Sequence, residues 1–312
     1  MSNCSRNRSR IRRDKASRRK SNLSIESLER RELLHASGVL WSESPNLTLS
    51  FAVEGVDVAG EPNQLDAYFD LAFQGENWQG TILEAFQQWA IKTNANVGLI
   101  TEAGAHPLGA EGSRTGDSRF GDVRIAARPL ARNVHAVSVA HDSLISGTWA
   151  GDVIFNTNAA FQSLDELYSV ALHEAGHVFG LAHSTHVDSV MRIHGISGIV
   201  EPSVQDELNL RSLYGERNAD QFDQVQQNGS LANASKLRLN RRPMSGNVTL
   251  GAVPSVVFAD LGLADVDYYN VEPPASYHGS VTVRLRTEGT SLLNPAMTVV
   301  DRDGTGSVIV LE

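Results

Sequence analysis

The chain has 312 residues, of which 41% are hydrophobic and 20% charged, enough for one large or two moderate domains with a full-sized core. Its formal net charge is −9, but residues 1–31 contain eleven Lys or Arg and three Asp or Glu, so the other 281 residues carry a net charge of −17. The strong negative charge of these 281 residues argues against nucleic acid as the main partner, because phosphate binding needs a basic face. The sequence has no apolar run as long as a membrane span.

The N-terminal region, residues 1–38, is predicted to be a basic, disordered segment because it begins with a low-complexity run of Ser, Arg, Lys and Asn. Cys4 is the only cysteine, so no intramolecular disulfide can form. The run from Leu23 to Leu34, with Leu28-Glu-Arg-Arg-Glu-Leu-Leu34 at its end, resembles the Arg-rich segment that begins many large extracellular proteins of planctomycete bacteria. This resemblance implies export, although a secretory signal peptide of the ordinary type is missing.

Residues 39–216 are predicted to form one α+β unit. An alternating strand, 46–52, is followed by an amphipathic helix at about 78–93. Short β-prone runs separated by Gly-rich loops follow at 97–101, 122–126, 136–141 and 152–156. A further helix begins at Ser163, which we expect to form an S-x-x-E capping box with Glu166. A last helix, about 203–214, ends at Leu213-Tyr-Gly215.

The helix after Ser163 contains His173-Glu-Ala-Gly-His177-Val-Phe-Gly-Leu-Ala-His183. Histidines four apart on a helix lie one turn above each other, so both can reach one metal ion. Gly180 readily takes the positive φ of a sharp helix exit, which lets the chain bring His183 in as a third ligand. Three neutral imidazoles, an open fourth position for water and the nearby carboxylate of Glu174 are the parts of a zinc hydrolase. The alternative is a polar helix face on which the histidines occur by chance.

This motif resembles the metzincin clan of zinc metallopeptidases, and its Gly-Leu-Ala-His-Ser ending is most similar to the matrixin branch. The resemblance implies a twisted mixed sheet with a zinc helix and a C-terminal helix, one catalytic Zn²⁺ and a protein or peptide substrate. It implies that Glu174 is the general base and that Met191, in Ser189-Val-Met, is the Met-turn residue below the imidazoles. We therefore predict an exported zinc endopeptidase, secreted or at the cell surface. The alternatives are a non-catalytic cell-surface binding or matrix module with a vestigial metal site, and a zinc hydrolase of a non-peptide substrate.

The same resemblance raises the question of further metals. Matrixins place calcium ligands at positions matching Asp152 and Asn156, although turn formation would equally explain these two residues. Matrixins also carry a second, structural zinc bound by upstream histidines, but Ile154 stands where one of them would be. The remaining candidates, His106, His135 and His141, are left as surface or locally bonded histidines.

The region 217–312 is predicted to be a polar linker and a separate β-rich domain that forms no part of the site. Its β-prone runs lie at 256–259, 268–271, 280–286 and 297–300. Asp265-Val-Asp-Tyr-Tyr-Asn-Val and Leu292-Leu-Asn-Pro-Ala-Met-Thr-Val resemble the bacterial pre-peptidase C-terminal domain, a small β-sandwich. The sequence stops directly after a strand-like run, so a fragment of a longer protein is one interpretation.

Substrate binding is predicted from the matrixin resemblance as well. The run 136–141 would be the edge strand beside the zinc helix, and a peptide would pair with it as an added antiparallel strand. The segment from Arg192 to about Ile199 would wall the side-chain pocket beside the zinc. The sequence does not indicate the oligomeric state.

Overall fold

The computed structural model describes residues 40–42, 45–141, 146–193, 198, 201–218, 222, 227–238, 266–272, 283, 285, 287, 291–292, 297–300 and 306–308. All of them lie in one unit, Ala36–Glu312. The predictions for residues 1–38, and for the β-prone runs at 256–259 and most of 280–286, lie outside the described residues.

A five-stranded, mostly parallel sheet forms the centre of the fold. Its strands are β1 (Asn46–Phe51), β4 (Asn96–Leu99), β5 (Val123–Arg128), β6 (Ala136–Ser138) and β7 (Val153–Asn156), in the order β4-β1-β5-β7-β6. The pairs β1–β4, β1–β5 and β5–β7 are parallel, whereas β6 pairs with β7 antiparallel. The five predicted strands are therefore all present, and β6 lies at the sheet's edge as predicted.

The chain has four described α-helices, two that lie between β1 and β4 in the sequence and two that follow β7. They are α1 (Leu65–Phe73), α2 (Trp78–Ala90), α3 (Leu164–Val178) and α4 (Val204–Tyr214). Helix α2 packs along α3, and α1 packs on β5. Between them and the sheet lies one large buried core, which includes Trp78, Trp89, Phe69 and Phe155. A mixed sheet with the predicted zinc-helix and final-helix positions confirms the α+β organisation expected for residues 39–216.

Helix α1 and a short hairpin before it were not predicted. The hairpin joins β2 (Asp57–Val58) to β3 (Glu61–Pro62). The helix has no side-chain N-cap at Gln64, so the usual start signal is missing from the sequence. Its buried residues Leu65, Phe69 and Phe73 nevertheless repeat every four positions, a helical period that could have revealed it.

The C-terminal region contains two described strand pairs. Strand β8 (Ser235–Arg238) pairs in parallel with β9 (Tyr269–Glu272), and β10 (Thr298–Val300) pairs antiparallel with β11 (Gly306–Val308). β9 and β10 match two of the predicted β-prone runs. A β-sandwich is not shown by the described residues, so that part of the prediction stays open. Leu292 packs against the large core, and the proposed domain boundary near residue 217 remains a prediction.

Candidate active site

Helix α3, which carries the histidine motif, begins with half of the predicted capping box. The Ser163 hydroxyl accepts a hydrogen bond from the Glu166 backbone N–H at 3.2 Å. The Glu166 carboxylate, however, accepts from the Gln162 backbone N–H at 2.7 Å and not from that of Ser163. The cap is therefore displaced by one residue from the predicted box, yet it still occupies two donors at the helix start.

The end of α3 turns as the glycine predicted. Gly180 has φ +94°, a conformation that side-chain-bearing residues rarely adopt. The Leu181 N–H donates to the Gly176 carbonyl and the Gly180 N–H donates to the His177 carbonyl, each at 2.9 Å. This pair of bonds is a Schellman motif. It redirects the chain within three residues, so His183 returns towards the helix.

The three predicted ligands meet at one point. The His177 Nε2 atom lies 3.1 Å from the Nε2 atoms of both His173 and His183. Nitrogens that bind one tetrahedral zinc ion at about 2.0–2.1 Å lie about 3.3 Å apart, so the observed spacing fits a zinc ion. This is the one group of three potential metal-binding side chains found among the described residues.

The other imidazole nitrogens fix how two of the rings face this point. The Nδ1 atom of His173 lies 2.7 Å from the Val190 carbonyl oxygen, and that of His177 lies 2.8 Å from the Leu181 carbonyl oxygen. A carbonyl only accepts, so each Nδ1 carries the proton and each Nε2 presents its lone pair. Burial, with the neighbouring His173 and His183, lowers the pKa of His177 to about 3. Its ring is therefore neutral, as a ligand must be.

Glu174 follows the first ligand on α3. Its side chain is buried, with 7% of its surface exposed, as is that of His173.

Met191 lies directly against α3, on the turn that contains Gly176. A Cβ atom added to Gly176 would lie 2.3 Å from the Met191 Sδ atom and 3.1 Å from Trp89 Cζ2. The glycine leaves the space that the Met191 thioether occupies, and Met191 is 1% exposed. Gly176 was not singled out in the sequence because it occupies a variable position of the motif.

The segment with Met191 is held by a buried carboxylate from α4. Asp206, which is 1% exposed, accepts hydrogen bonds from the Ser189 hydroxyl at 2.5 Å and the Val190 N–H at 3.1 Å. It also accepts from the Ser203 N–H and hydroxyl, which completes a capping box at the start of α4. Since the Val190 carbonyl faces His173, Asp206 connects the start of α4 to one of the three clustered histidines. The predicted helix at about 203–214 includes Asp206, but the sequence did not indicate that its carboxylate reaches the site.

The edge strand β6 lies beside α3. The His135 carbonyl and the Val139 N–H and carbonyl all hydrogen-bond to residues of β7 or the turn before it. Successive residues of a strand point their polar groups in alternate directions. The N–H and C=O of Ser138 therefore point away from β7, towards the open edge.

The loop after His183 folds back beside the site. The Ser184 N–H donates to the Met191 carbonyl at 2.8 Å, and Ser184 forms a parallel bridge with Arg192. One Arg192 Nη donates to the Val187 carbonyl at 2.8 Å. Val187 and Ile193 are 70% and 59% exposed, so apolar side chains are available on this rim. Of the predicted pocket wall, 194–197 and 199 lie outside the described residues.

The two predicted calcium ligands stand at opposite ends of β7. Asp152 is fully buried, and its Oδ1 accepts from the Arg124 backbone N–H at 3.1 Å. Asn156 is also fully buried and makes hydrogen bonds to surrounding backbone groups. Neither residue is part of a carboxylate or histidine cluster among the described residues.

The three upstream histidines each contact a different part of the structure. His106 lies against Phe120, His135 pairs with Glu166 at 3.7 Å, and His141 stacks on Trp41 with ring centroids 4.3 Å apart. They form no second metal cluster in the part of the chain that the structure describes.

The matrixin family model matches residues 40–215. That range spans the whole sheet, the three histidines and α4, and the chain belongs to the matrixin family of zinc metallopeptidases. No curated protein matches the chain with significant similarity. None of the helices among the described residues is both long and apolar enough to cross a membrane.

Proposed function

We propose that this protein is an exported zinc endopeptidase whose metal is held by His173, His177 and His183. The observation that carries the proposal is the convergence of three Nε2 atoms, two of them oriented by Nδ1–H bonds to carbonyls. Membership of a metallopeptidase family supports a protein substrate. The resemblance of Leu23–Leu34 to an export segment supports secretion or a cell-surface location.

When bound, zinc would lower the pKa of a water molecule towards 7 and polarise the carbonyl of the scissile peptide bond. Glu174 would take the proton of that water and later give it to the leaving amine. The position of Glu174 supports this role, since it is buried and directly follows His173 on α3. His173 and His177 each keep their proton on Nδ1, so the lone pair of each Nε2 atom can bind the metal.

The peptide substrate would bind along β6 as an added antiparallel strand. The outward-facing N–H and C=O of Ser138 would hydrogen-bond to its backbone, which gives affinity without a strict demand on sequence. Selectivity would come from the rim formed by the loop from Ser184 to Ile193 and the segment that follows it. The exposed Val187 and Ile193 favour an apolar contact there.

The experiment is cleavage of casein or gelatin by the purified chain, with a chelator and then with added zinc. Cleavage that is lost with the chelator and restored by zinc is the expected result. A protein that binds zinc at the three histidines but cleaves neither substrate would instead favour a binding module or a hydrolase of another substrate.

A further inference from the structure

A buried ion pair joins the loop between β4 and β5 to strand β5, which is paired with β7, the strand that has the expected calcium ligands at its two ends. The Arg124 and Glu102 side chains are each 1% exposed. Arg124 Nε lies 2.7 Å from Glu102 Oε1, and Arg124 Nη2 lies 2.8 Å from Oε2. Two parallel bonds of this kind are the strong, geometrically specific form of an ion pair.

The remaining groups of this pair also have partners. Arg124 donates to the Pro107 and His106 carbonyls, each at 2.8 Å, which fixes the middle of the loop. The Ser50 hydroxyl on β1 donates to Glu102 at 2.9 Å. Phe120 lies under the guanidinium, 4.7 Å from ring centroid to Cζ. The ion pair thus joins β5, β1 and the loop.

Asp152 belongs to the same network through its bond from the Arg124 backbone N–H. Burial raises the pKa of Asp152 well above its ordinary value, while the charge of Arg124 opposes the rise. The Asp152 Oδ2 atom is buried without a hydrogen-bond partner in the part of the chain that the structure describes, so this carboxylate has one oxygen that the network does not use. One oxygen alone is not a calcium site, because calcium takes six to eight oxygen ligands, and the described residues place no further pair of acidic or histidine side chains around Asp152.

Asn156 has no spare ligand atom to offer. Its Oδ1 accepts from the Leu130 and Asn158 backbone N–H groups at 2.7 and 2.9 Å. Its Nδ2 donates to the Ala131 and Val134 carbonyls at 2.8 and 2.5 Å. These four bonds use the whole capacity of a side-chain amide. The Asn156 amide ties the loop after β5 to the end of β7, as a bound ion would do.

A second zinc is equally poorly matched. Ile154 is buried in a small apolar cluster with Ala52, Val56, Val58, Leu108 and Ala126. Such a cluster provides no nitrogen, sulfur or oxygen side-chain ligand.

We propose that the Arg124 network (Arg124, Glu102, Ser50 and Asp152) and the Asn156 amide replace the structural calcium and second zinc of matrixins, so that this domain is stable without calcium and binds a single zinc. The claim about calcium is independent of peptidase activity. The claim about one zinc rests on the three-histidine site of the proposed function.

The first test is thermal unfolding of the full chain, saturated with zinc, in calcium-free buffer and in millimolar calcium. A calcium site filled a hundredfold above its Kd would raise Tm by roughly 5 to 10 °C. We expect a change below about 2 °C, and a larger rise would overturn the proposal. Metal analysis after desalting should find one zinc and no calcium per chain. Stoichiometric calcium or two zincs would overturn it, whereas absence of all zinc would contradict the three-histidine site and leave the calcium claim standing.

The second test removes the charge of the pair with Glu102→Gln. An unpaired buried Arg124 should lower Tm by roughly 10 °C. The matched control is Asp117→Asn, which breaks the ion pair between Asp117 and the more exposed Arg119, 2.8 Å long, in the same loop. The control should lower Tm by about 2 °C or less. Equal effects of the two variants would show that the Arg124 network does not hold the loop. If Glu102→Gln does not fold, the calcium measurement on the unchanged chain still tests whether the domain is stable without calcium.

Discussion

At the scale of single residues, substitution of Glu174 tests the proposed chemistry most directly. Glu174→Gln keeps the shape of the side chain but cannot take a proton. General-base catalysis is typically worth about 10²- to 10⁴-fold, and the same carboxyl serves as acid, so kcat should fall by at least about 100-fold. Zinc content should stay at the wild-type level, because Glu174 is not among the converging ligands. The measurements are peptide cleavage and zinc content on one preparation, and near-normal turnover would remove Glu174 from the mechanism.

Gly176 is the residue that permits Met191 to lie against α3. Gly176→Ala places a methyl group 2.3 Å from the Met191 Sδ, and overpacking of this kind costs about 1–3 kcal/mol of unfolding free energy. Denaturant unfolding of the single variants and of Gly176→Ala with Met191→Ala measures whether the cost comes from this contact. In the Met191→Ala background the cost of the alanine at 176 should shrink, and strictly additive effects would contradict the contact.

Asp206 should affect zinc although it lies outside the ligand set. Asp206→Asn turns an acceptor into a donor that faces the Ser189 hydroxyl or the Val190 N–H. The Val190 carbonyl would then lose its fixed position opposite His173. Changes of this type typically reduce metal affinity by about 10- to 100-fold. Competition with a zinc indicator would measure it, with the exposed Asp165→Asn at the start of α3 as control. Unaltered affinity would show that Asp206 only caps α4.

At the scale of elements, the edge strand β6 makes the proposal about substrate testable. Ser138→Pro removes one outward N–H, and proline is tolerated on an edge strand. If substrate pairs with β6, kcat/KM should fall by about 10-fold, the value of roughly one hydrogen bond. Ser138→Ala keeps the N–H and should behave like wild type. The same kcat/KM for proline and alanine at 138 would rule out pairing at this residue.

The elements also show which features the sequence could reveal. Strands and the cap of α3 followed from alternation and from Ser163, because these signals are local. The Schellman exit followed from Gly180 for the same reason. Helix α1 was missed because Gln64 gives no cap. The bond from Asp206 to the Met191 segment joins residues 17 apart, and the Arg124–Glu102 pair joins residues 22 apart. Pairs that meet only after folding leave no local pattern, so one sequence could not indicate them.

At the scale of the whole molecule, the matrixin match ends at residue 215, but two later residues pack on the end of α2 and the loop after it. Arg217 donates to the Ala90 and Thr93 carbonyls at 3.1 Å, and the Asn218 N–H donates to Asn94 at 2.8 Å. A chain of residues 40–218 should therefore fold, bind zinc and cleave peptide. A chain of residues 40–215 should melt several degrees lower. Differential scanning calorimetry of both chains checks this, and failure of the longer one to bind zinc would show that the C-terminal region completes the domain.

The central claim is that three imidazoles hold one zinc ion, and zinc-edge X-ray absorption of the full chain tests it most directly. The expected spectrum contains three imidazole nitrogens at about 2.0–2.1 Å and one oxygen ligand. The His183→Ala variant should lose one imidazole from that shell. Sulfur scattering at about 2.3 Å, or a shell with fewer than three imidazoles in the unchanged chain, would contradict the account.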